Sequence, residues 1–206
     1  MVKSMNLYNS LDIKDKDKGS IILIGNFDGL HLGHQKLFSL AKNFKKKYSL
    51  KIGVLTFEPM PKMYFNPNIK NFRISNRKQK IDLLNKLKVD FIILKKFDKK
   101  FSKTKSINFI ENILKKKLGA KFIFVSNNFR FGNKREGDVK QLIKYENRYD
   151  YKIIKPKPLI KNRKIVSSSL IRNYLQKGNL VEANKLLNRK WSIEGKVQRG
   201  KQLGKK

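Results

Sequence analysis

The residues best suited to chemistry fall in one short segment, Gly25-Asn26-Phe27-Asp28-Gly29-Leu30-His31-Leu32-Gly33-His34-Gln35. His31 and His34 are the only histidines in the chain. Their i, i+3 spacing lets both rings face the same way on a helix. A glycine-rich turn that opens a helix lets backbone approach a phosphate, and the free N–H groups of the helix start attract it. Imidazole donors beside such a terminus suit the charge that builds on a phosphoryl group during transfer. A zinc pair would need a third ligand, and only carboxylates are available because the chain has no cysteine. Thiolate nucleophiles and disulfides are excluded for the same reason. Incidental surface histidines are the remaining alternative, and the placement of both inside one glycine-rich turn argues against it.

Three further segments carry candidate residues. Thr56-Phe57-Glu58-Pro59-Met60-Pro61 reads on its own as a Pro-rich strand exit. Val125-Ser126-Asn127-Asn128-Phe129-Arg130-Phe131-Gly132 leads to Arg135-Glu136-Gly137-Asp138. Phe129 and Phe131 can pack around a flat ring, and the Asn128 amide both donates and accepts. A core phenylalanine pair with surface arginines accounts for that segment equally well. Val166-Ser167-Ser168-Ser169-Leu170-Ile171-Arg172 places three serines ahead of an apolar helical run, which is an N-cap signal. A capped helix start with hydroxyls and an arginine one turn inside is also a second anion site.

The histidine segment resembles the HxGH signature of the nucleotidylyltransferase superfamily. At full length, GNFDGLHLGHQ resembles the version in bacterial FAD synthetases, the bifunctional riboflavin kinase/FMN adenylyltransferases. The other segments fit that family in order. Thr56–Pro61 resembles its TFEPHP loop, with Met60 in place of the usual His. Val125–Asp138 resembles VGxDFRFGxxRxGD, with Ser126 for Gly and Asn128 where Asp or Asn occurs. Val166–Arg172 resembles ISSTxIR, with Ser169 keeping the hydroxyl of Thr. The resemblance runs roughly from Ile21 to Val197.

The resemblance implies ATP and FMN as substrates, FAD and pyrophosphate as products, Mg²⁺ carried with ATP and no metal held by the protein. It implies direct attack of an FMN phosphate oxygen on the ATP α-phosphorus. The residues expected to act in catalysis are His31, His34, Asn128, Ser168, Ser169 and Arg172. Gly25, Asn26, Phe27, Asp28, Gly33 and Ser167 are expected to hold the nucleotide. Phe57, Pro59, Asn128, Phe129, Phe131 and Arg135 are expected to hold the flavin. The serine helix would take the β- and γ-phosphates and the histidine turn the α-phosphate.

Asn188-Arg189-Lys190-Trp191 resembles the approach to the family's kinase domain, and Gly200–Gly204 resembles that domain's opening GRxLG. The Phe-Pro-Thr-Ala-Asn run that follows in the family is not in these 206 residues. Riboflavin kinase activity is therefore not expected of this chain. The expected organisation is a polar segment over 1–19, a transfer domain over 20–188, and a truncated kinase start or disordered tail over 189–206. Three rivals predict different behaviour, and one of them, a degenerate, inactive fragment suggested by Met60, Ser126 and the truncated end, would form no product. A sister nucleotidylyltransferase would adenylylate another acceptor and ignore flavin. A basic RNA-binding α/β protein would keep salt-sensitive RNA affinity after loss of both histidines.

The elements that must position these residues follow from hydrophobic periodicity. Strands are expected at Ser20–Ile24, Lys51–Phe57, Phe91–Leu94, Lys121–Val125 and Tyr151–Ile154. Helices are expected at Gly33–Lys47, Asn76–Leu87, Ser106–Leu118 and around Leu142-Ile143. Alternation of this kind implies an α/β fold, a Rossmann-like open parallel sheet with helices on both faces. A small hairpin around Lys161-Asn162-Arg163 follows, then helices at Ser169–Gln176 and Leu180–Leu187, then a strand at Trp191–Val197.

Charge has two readings. Lys and Arg total 50 against 15 Asp and Glu, a net charge of +35. A polyanion partner is one explanation. The other is compositional drift, since Lys far outnumbers Arg, Asn and Ile are plentiful, and the lysines spread over the whole length. A dedicated nucleic-acid binder should concentrate its charge in a patch, so nucleic acid is not the expected partner. The start of the chain lacks an apolar stretch, and apolar runs such as Ile21–Ile24 are too short to span a bilayer, so a cytoplasmic location is expected.

Overall fold

The computed structural model describes residues 5–70, 72–195, 197 and 200. Ten strands run in chain order: β1 (Asn6–Tyr8), β2 (Ile21–Ile24), β3 (Ile52–Glu58), β4 (Phe91–Lys96), β5 (Phe122–Phe124), β6 (Arg130–Phe131), β7 (Gly137–Asp138), β8 (Lys152–Ile154), β9 (Ile160–Lys161) and β10 (Lys164–Ile165). The helices are α1 (Leu32–Tyr48), α2 (Pro61–Phe65), α3 (Arg77–Lys86), α4 (Lys99–Ser102), α5 (Ser106–Asn108), α6 (Val139–Lys144), α7 (Glu146–Tyr149), α8 (Ser168–Gln176) and α9 (Leu180–Leu187).

Six strands form one sheet in the order β1-β4-β3-β2-β5-β8, every neighbouring pair parallel. β2 is buried along its whole length, as a parallel strand covered on both faces should be. Its residues alternate between the two cores. Ile22 and Ile24 join Phe109, Ile110, Leu114 and Leu142 on one face. Ile21 and Leu23 join Phe38, Ala41 and Leu84 on the other, beneath α1 and α3. From β2 the chain moves outward through β3 and β4, then returns to add β5 on the opposite side of β2. Strand order therefore reverses between β2 and β5. Ligands of open α/β sheets bind beyond the strand C-termini at such a switch point. Gly25 follows β2, and Ser126–Asn128 follow β5.

Several expectations are modified. The segment before residue 20 contributes β1, a parallel edge strand paired with β4 in the register Asn6 with Phe91. The helix expected over Ser106–Leu118 has α geometry only in its first turn. Phe109–Lys117 is π-helical. Its apolar residues, Phe109, Ile110, Ile113, Leu114 and Leu118, recur at intervals of four to five, which suits the wider turn. The hairpin pairs β9 with β10, and both turn residues, Asn162 and Arg163, have positive φ (48° and 59°), as a two-residue primed turn requires.

The strand expected from Trp191 is not present over residues 191–195. Backbone groups there bond to side chains of α3 and α9 rather than to a sheet edge. Trp191 N–H donates to Asn184 Oδ1 (2.6 Å), and Ser192 C=O accepts from Gln79 Nε2 (3.0 Å). Residues 201–204, which carry most of the kinase-like GRxLG, lie outside the described residues. Among the described residues no helix is long and apolar enough to cross a membrane.

Candidate active site

β2 is followed by Gly25, whose N–H donates to Leu55 C=O (3.1 Å). The chain then makes a tight left-handed excursion. Phe27 (φ 47°), Gly29 (φ 76°) and Leu30 (φ 43°) all have positive φ. Two non-glycine residues in this region are held against an intrinsic cost of about 1 kcal/mol each. Burial of Phe27 and Leu30 in the core holds them. Gly29 has no such choice, because a Cβ there would lie 2.8 Å from Ile74 Cγ2.

His31 caps α1. Its backbone is extended, and its Nδ1 accepts from His34 N–H at 3.3 Å. An imidazole that accepts at Nδ1 carries its proton on Nε2, so His31 presents an Nε2–H donor. The His31 and His34 rings stack with centroids 3.7 Å apart and planes at 20°. Phe27 meets the His34 ring edge-on at 5.2 Å. Nδ1 of His34 is buried and has no hydrogen-bond partner among the described residues. An unpaired buried polar atom is a feature that structure alone does not require.

The serine helix meets this turn directly. A Cβ on Gly33 would sit 3.1 Å from the His31 ring and 3.2 Å from Val166 C=O. Glycine is therefore what lets the first turn of α1 close on the segment that enters α8. Ser167 caps α8, its Oγ accepting from Leu170 N–H (3.2 Å). Ser168 Oγ donates to Asp28 C=O (2.9 Å), and Ser169 is exposed in the first turn. Two helix N-termini thus converge from opposite ends of the chain, each presenting free N–H groups.

Asp28 anchors the arrangement. Its carboxylate is 3% exposed and accepts from Ile74 N–H (3.0 Å), Ser75 N–H (3.2 Å) and Arg172 Nη2 (2.8 Å). Asp28, expected to hold nucleotide, has both carboxylate oxygens bonded to these protein donors. Arg172 also donates from Nε to Phe72 C=O (2.7 Å) and lies over the Phe72 ring, 3.9 Å from its centroid. The guanidinium is thus pre-set, and its Nη1 makes no hydrogen bond among the described residues.

Beside it, Glu58 pairs with Arg73 and lies 3.9 Å from the Lys80 ammonium. Lys80 is only 4% exposed, and its Nζ reaches Thr56 Oγ1 at 3.4 Å. Burial holds this ammonium below its usual range, while the Glu58 carboxylate opposes the shift. Glu58, Arg73 and Lys80 were not singled out from the sequence as site residues. Lys80 was detectable, since it stands four before Leu84 and seven before Leu87 on the apolar stripe of α3.

The expected flavin residues divide by burial. Phe57 (8% exposed) and Phe131 (7%) lie in the core with Phe101 and Phe109. Phe129 is partly exposed and stacks on Phe131, centroids 5.6 Å apart at 18°. Asn128 is exposed just past β5, its Oδ1 accepting from Ser126 Oγ (2.9 Å). Arg135 is exposed, and its carbonyl is held by the Arg130 guanidinium (2.6 Å and 2.9 Å). Pro59 is half-buried next to Met60, which is 3% exposed and packs inward. Asn128 and Phe129 therefore follow β5 at the switch point, with Phe131 beneath Phe129 and Phe57 in the same core.

Electrostatics refine the expected role of the histidines. Burial, and then the Arg172 charge, push His31 down to about 4. Burial, and then the His31 charge, push His34 well below the usual imidazole range. At neutral pH both rings are neutral rather than cationic. The sign for stability follows. The unfolded His31 takes a proton near 6.5 and the folded one near 4, so below 6.5 the unfolded state binds more protons. His31 stability is complete above that unfolded value and is lost as pH falls toward about 4, up to about 3 kcal/mol in all. The thermal midpoint is expected to fall between about pH 6.5 and about pH 4.5, and less steeply in His31→Asn, which keeps a cap. Equal slopes would contradict the assignment.

Comparison with known proteins identifies the family. The profile of the FAD synthetase family matches residues 13–170. A bifunctional riboflavin kinase/FMN adenylyltransferase of Buchnera aphidicola subsp. Acyrthosiphon pisum is 41% identical over 194 residues, covering 94% of this chain and 62% of that protein. The protein of the same name from Escherichia coli K12 is 34% identical over 188 residues, covering 91% and 60%. The chain thus spans about three-fifths of the length of these relatives. A Streptococcus pneumoniae crystal structure described as a macrolide-efflux protein superposes with a TM-score of 0.78 at 27% identity, covering 91% of this chain and 72% of that one. A pantoate-beta-alanine ligase from Francisella tularensis shares the fold alone, with a TM-score of 0.53 at 16% identity. The matched span takes in both histidines, the Asp28 anchor and the start of the serine helix, and on that ground the chain belongs to the FAD synthetase family.

Proposed function

We propose that this chain transfers the adenylyl group of ATP to FMN. An FMN phosphate oxygen attacks the α-phosphorus, the bond from that phosphorus to the α–β bridging oxygen breaks, and pyrophosphate leaves with FAD formed. The observation that carries the reading is the convergence of the His31–His34 turn with the N-terminus of α8 at the Gly33–Val166 contact. Transfers of this kind depend on positioning and on stabilising charge more than on covalent catalysis.

In this reading Gly25–Phe27 and Gly33 cradle the nucleotide. His31 and His34 donate N–H groups to the α-phosphate as charge grows on it. Ser167, Ser168, Ser169 and Arg172 hold the β- and γ-phosphates. Phe129 packs on the flavin and Asn128 bonds to its edge or phosphate, with Phe57, Pro59, Phe131 and Arg135 shaping that wall. Asp28 positions Arg172 and the 74–75 backbone. Mg²⁺ would arrive with ATP in this reading, and the Asp28 carboxylate, bonded to those partners, keeps its positioning role. A cytoplasmic enzyme without a nucleic-acid partner is part of the same reading.

Support also comes from the Buchnera and Escherichia coli relatives, whose names include FMN adenylyltransferase. Incubation with ATP, Mg²⁺ and FMN is expected to yield FAD on chromatography. Asn128→Ala is expected to raise the KM for FMN or lower turnover about tenfold while leaving ATP binding intact. An effect confined to ATP would move the flavin elsewhere.

A further inference from the structure

The segment after α9 was expected to lie outside the transfer domain, yet it runs behind the histidine turn. Arg189 Nη1 donates to Gly29 C=O (2.8 Å) and to Leu187 C=O (3.3 Å), and Nη2 reaches Ser75 Oγ (3.4 Å). The Trp191 indole N–H donates to Ile74 C=O (2.9 Å). Trp191 packs against the cluster of Ile74, Val166, Ile171 and Leu187. Gln79 bonds to Ser192, as above, and Lys78 pairs with Glu194 at 3.4 Å.

These bonds fall on two loops that Asp28 already joins. Gly29 precedes His31 by two residues and sits between the left-handed residues Phe27 and Leu30. Ile74 and Ser75 supply the amides that hold the Asp28 carboxylate. A left-handed excursion with non-glycine members persists only where its surroundings over-determine it. A charged fork on the central carbonyl is one such constraint, and it acts from outside the 20–188 span.

We propose that Arg189 is a positioning residue for adenylyl transfer, holding Gly29 C=O and thereby the His31–His34 turn, and that residues 188–194 belong to the transfer domain rather than to a linker. The proposal rests on the adenylyl-transfer reading above. A purely structural clamp would lower stability while leaving each folded molecule fully active. A positioning role instead lowers turnover in the folded enzyme.

The test uses the full chain with Arg189→Ala and Arg189→Lys. In Arg189→Ala, kcat is expected to fall on the order of 30-fold, with KM for ATP and FMN within about threefold of wild type. Amide hydrogen exchange over residues 29–34 should quicken, and emission from Trp191, the chain's only tryptophan, should shift to the red. Arg189→Lys keeps one donor for Gly29 and should recover part of the turnover. If Arg189→Ala does not fold, Arg189→Gln takes its place and is read the same way. Turnover per folded molecule within about threefold of wild type, or unchanged exchange at residues 29–34, overturns the proposal. So does a change in KM alone. Should wild-type protein form no FAD, the adenylyl-transfer reading fails by itself, and the exchange and fluorescence data still decide whether Arg189 holds the turn.

Discussion

Replacing His34 by alanine is expected to lower FAD formation by two orders of magnitude or more while leaving the fold intact. The ring is stacked on His31 and edged by Phe27, and its buried Nδ1 has no partner among the described residues. Truncation gives up that packing but leaves no protein group short of a hydrogen bond to Nδ1 among the described residues. What is lost is a preorganised neutral donor at a water-poor helix terminus. One such donor is worth about 10²–10³ in turnover. His31→Ala should lose a similar factor and, in addition, about 1 kcal/mol from the α1 cap. Steady-state kinetics alongside circular dichroism separate the two effects. A His34→Ala enzyme within about fivefold of wild-type turnover would place the transition state elsewhere.

Asp28→Ala is expected to be the most damaging single change to stability. It removes the carboxylate from the Arg172 guanidinium and from the Ile74 and Ser75 amides together. An orphaned buried charge costs about 3–5 kcal/mol, which corresponds to a thermal midpoint lower by on the order of 10 °C in a chain of this size. The double variant Asp28→Ala/Arg172→Met should regain part of that loss, because the uncompensated charge goes with the arginine. Thermal unfolding of the two variants checks this. A single variant within about 1 kcal/mol of wild type, or a double variant that is no better, would mean the pair is not the anchor.

The sheet was legible where strands are fully buried and β-branched, as at Ile21–Ile24 and Phe91–Leu94. The helix expected at Leu180–Leu187 has those same bounds in the structure. β1 was not legible, because three residues paired with a strand 85 positions away leave no local period. The two-residue ribbon of β6 and β7 is held by Arg130 on its own turn, which is likewise a matter of geometry rather than pattern. The apparent strand at Trp191 shows the limit of alternation. A period of two can be written by a segment that packs one aromatic ring and bonds to side chains of α3 and α9 rather than to a sheet edge.

The site was legible as motifs but not as a network. Types and spacing marked His31, His34 and the serine run. That Asp28 would turn inward to Arg172, that Gly33 would meet Val166, and that the histidines would be neutral depend on burial and long-range packing. Lys80 and Arg189 are charged residues whose importance appears only once the chain is folded around them.

The most direct test follows the two ends of ATP separately. Wild-type protein is incubated with Mg²⁺, FMN and ATP labelled at either the α- or the γ-phosphorus, and products are separated by chromatography. The account predicts α-label in FAD, γ-label in pyrophosphate, equal amounts of each, and neither product accumulating with the His34→Ala protein. FAD absent with wild-type enzyme, α-label bound covalently to protein, or γ-label transferred to a flavin would contradict it.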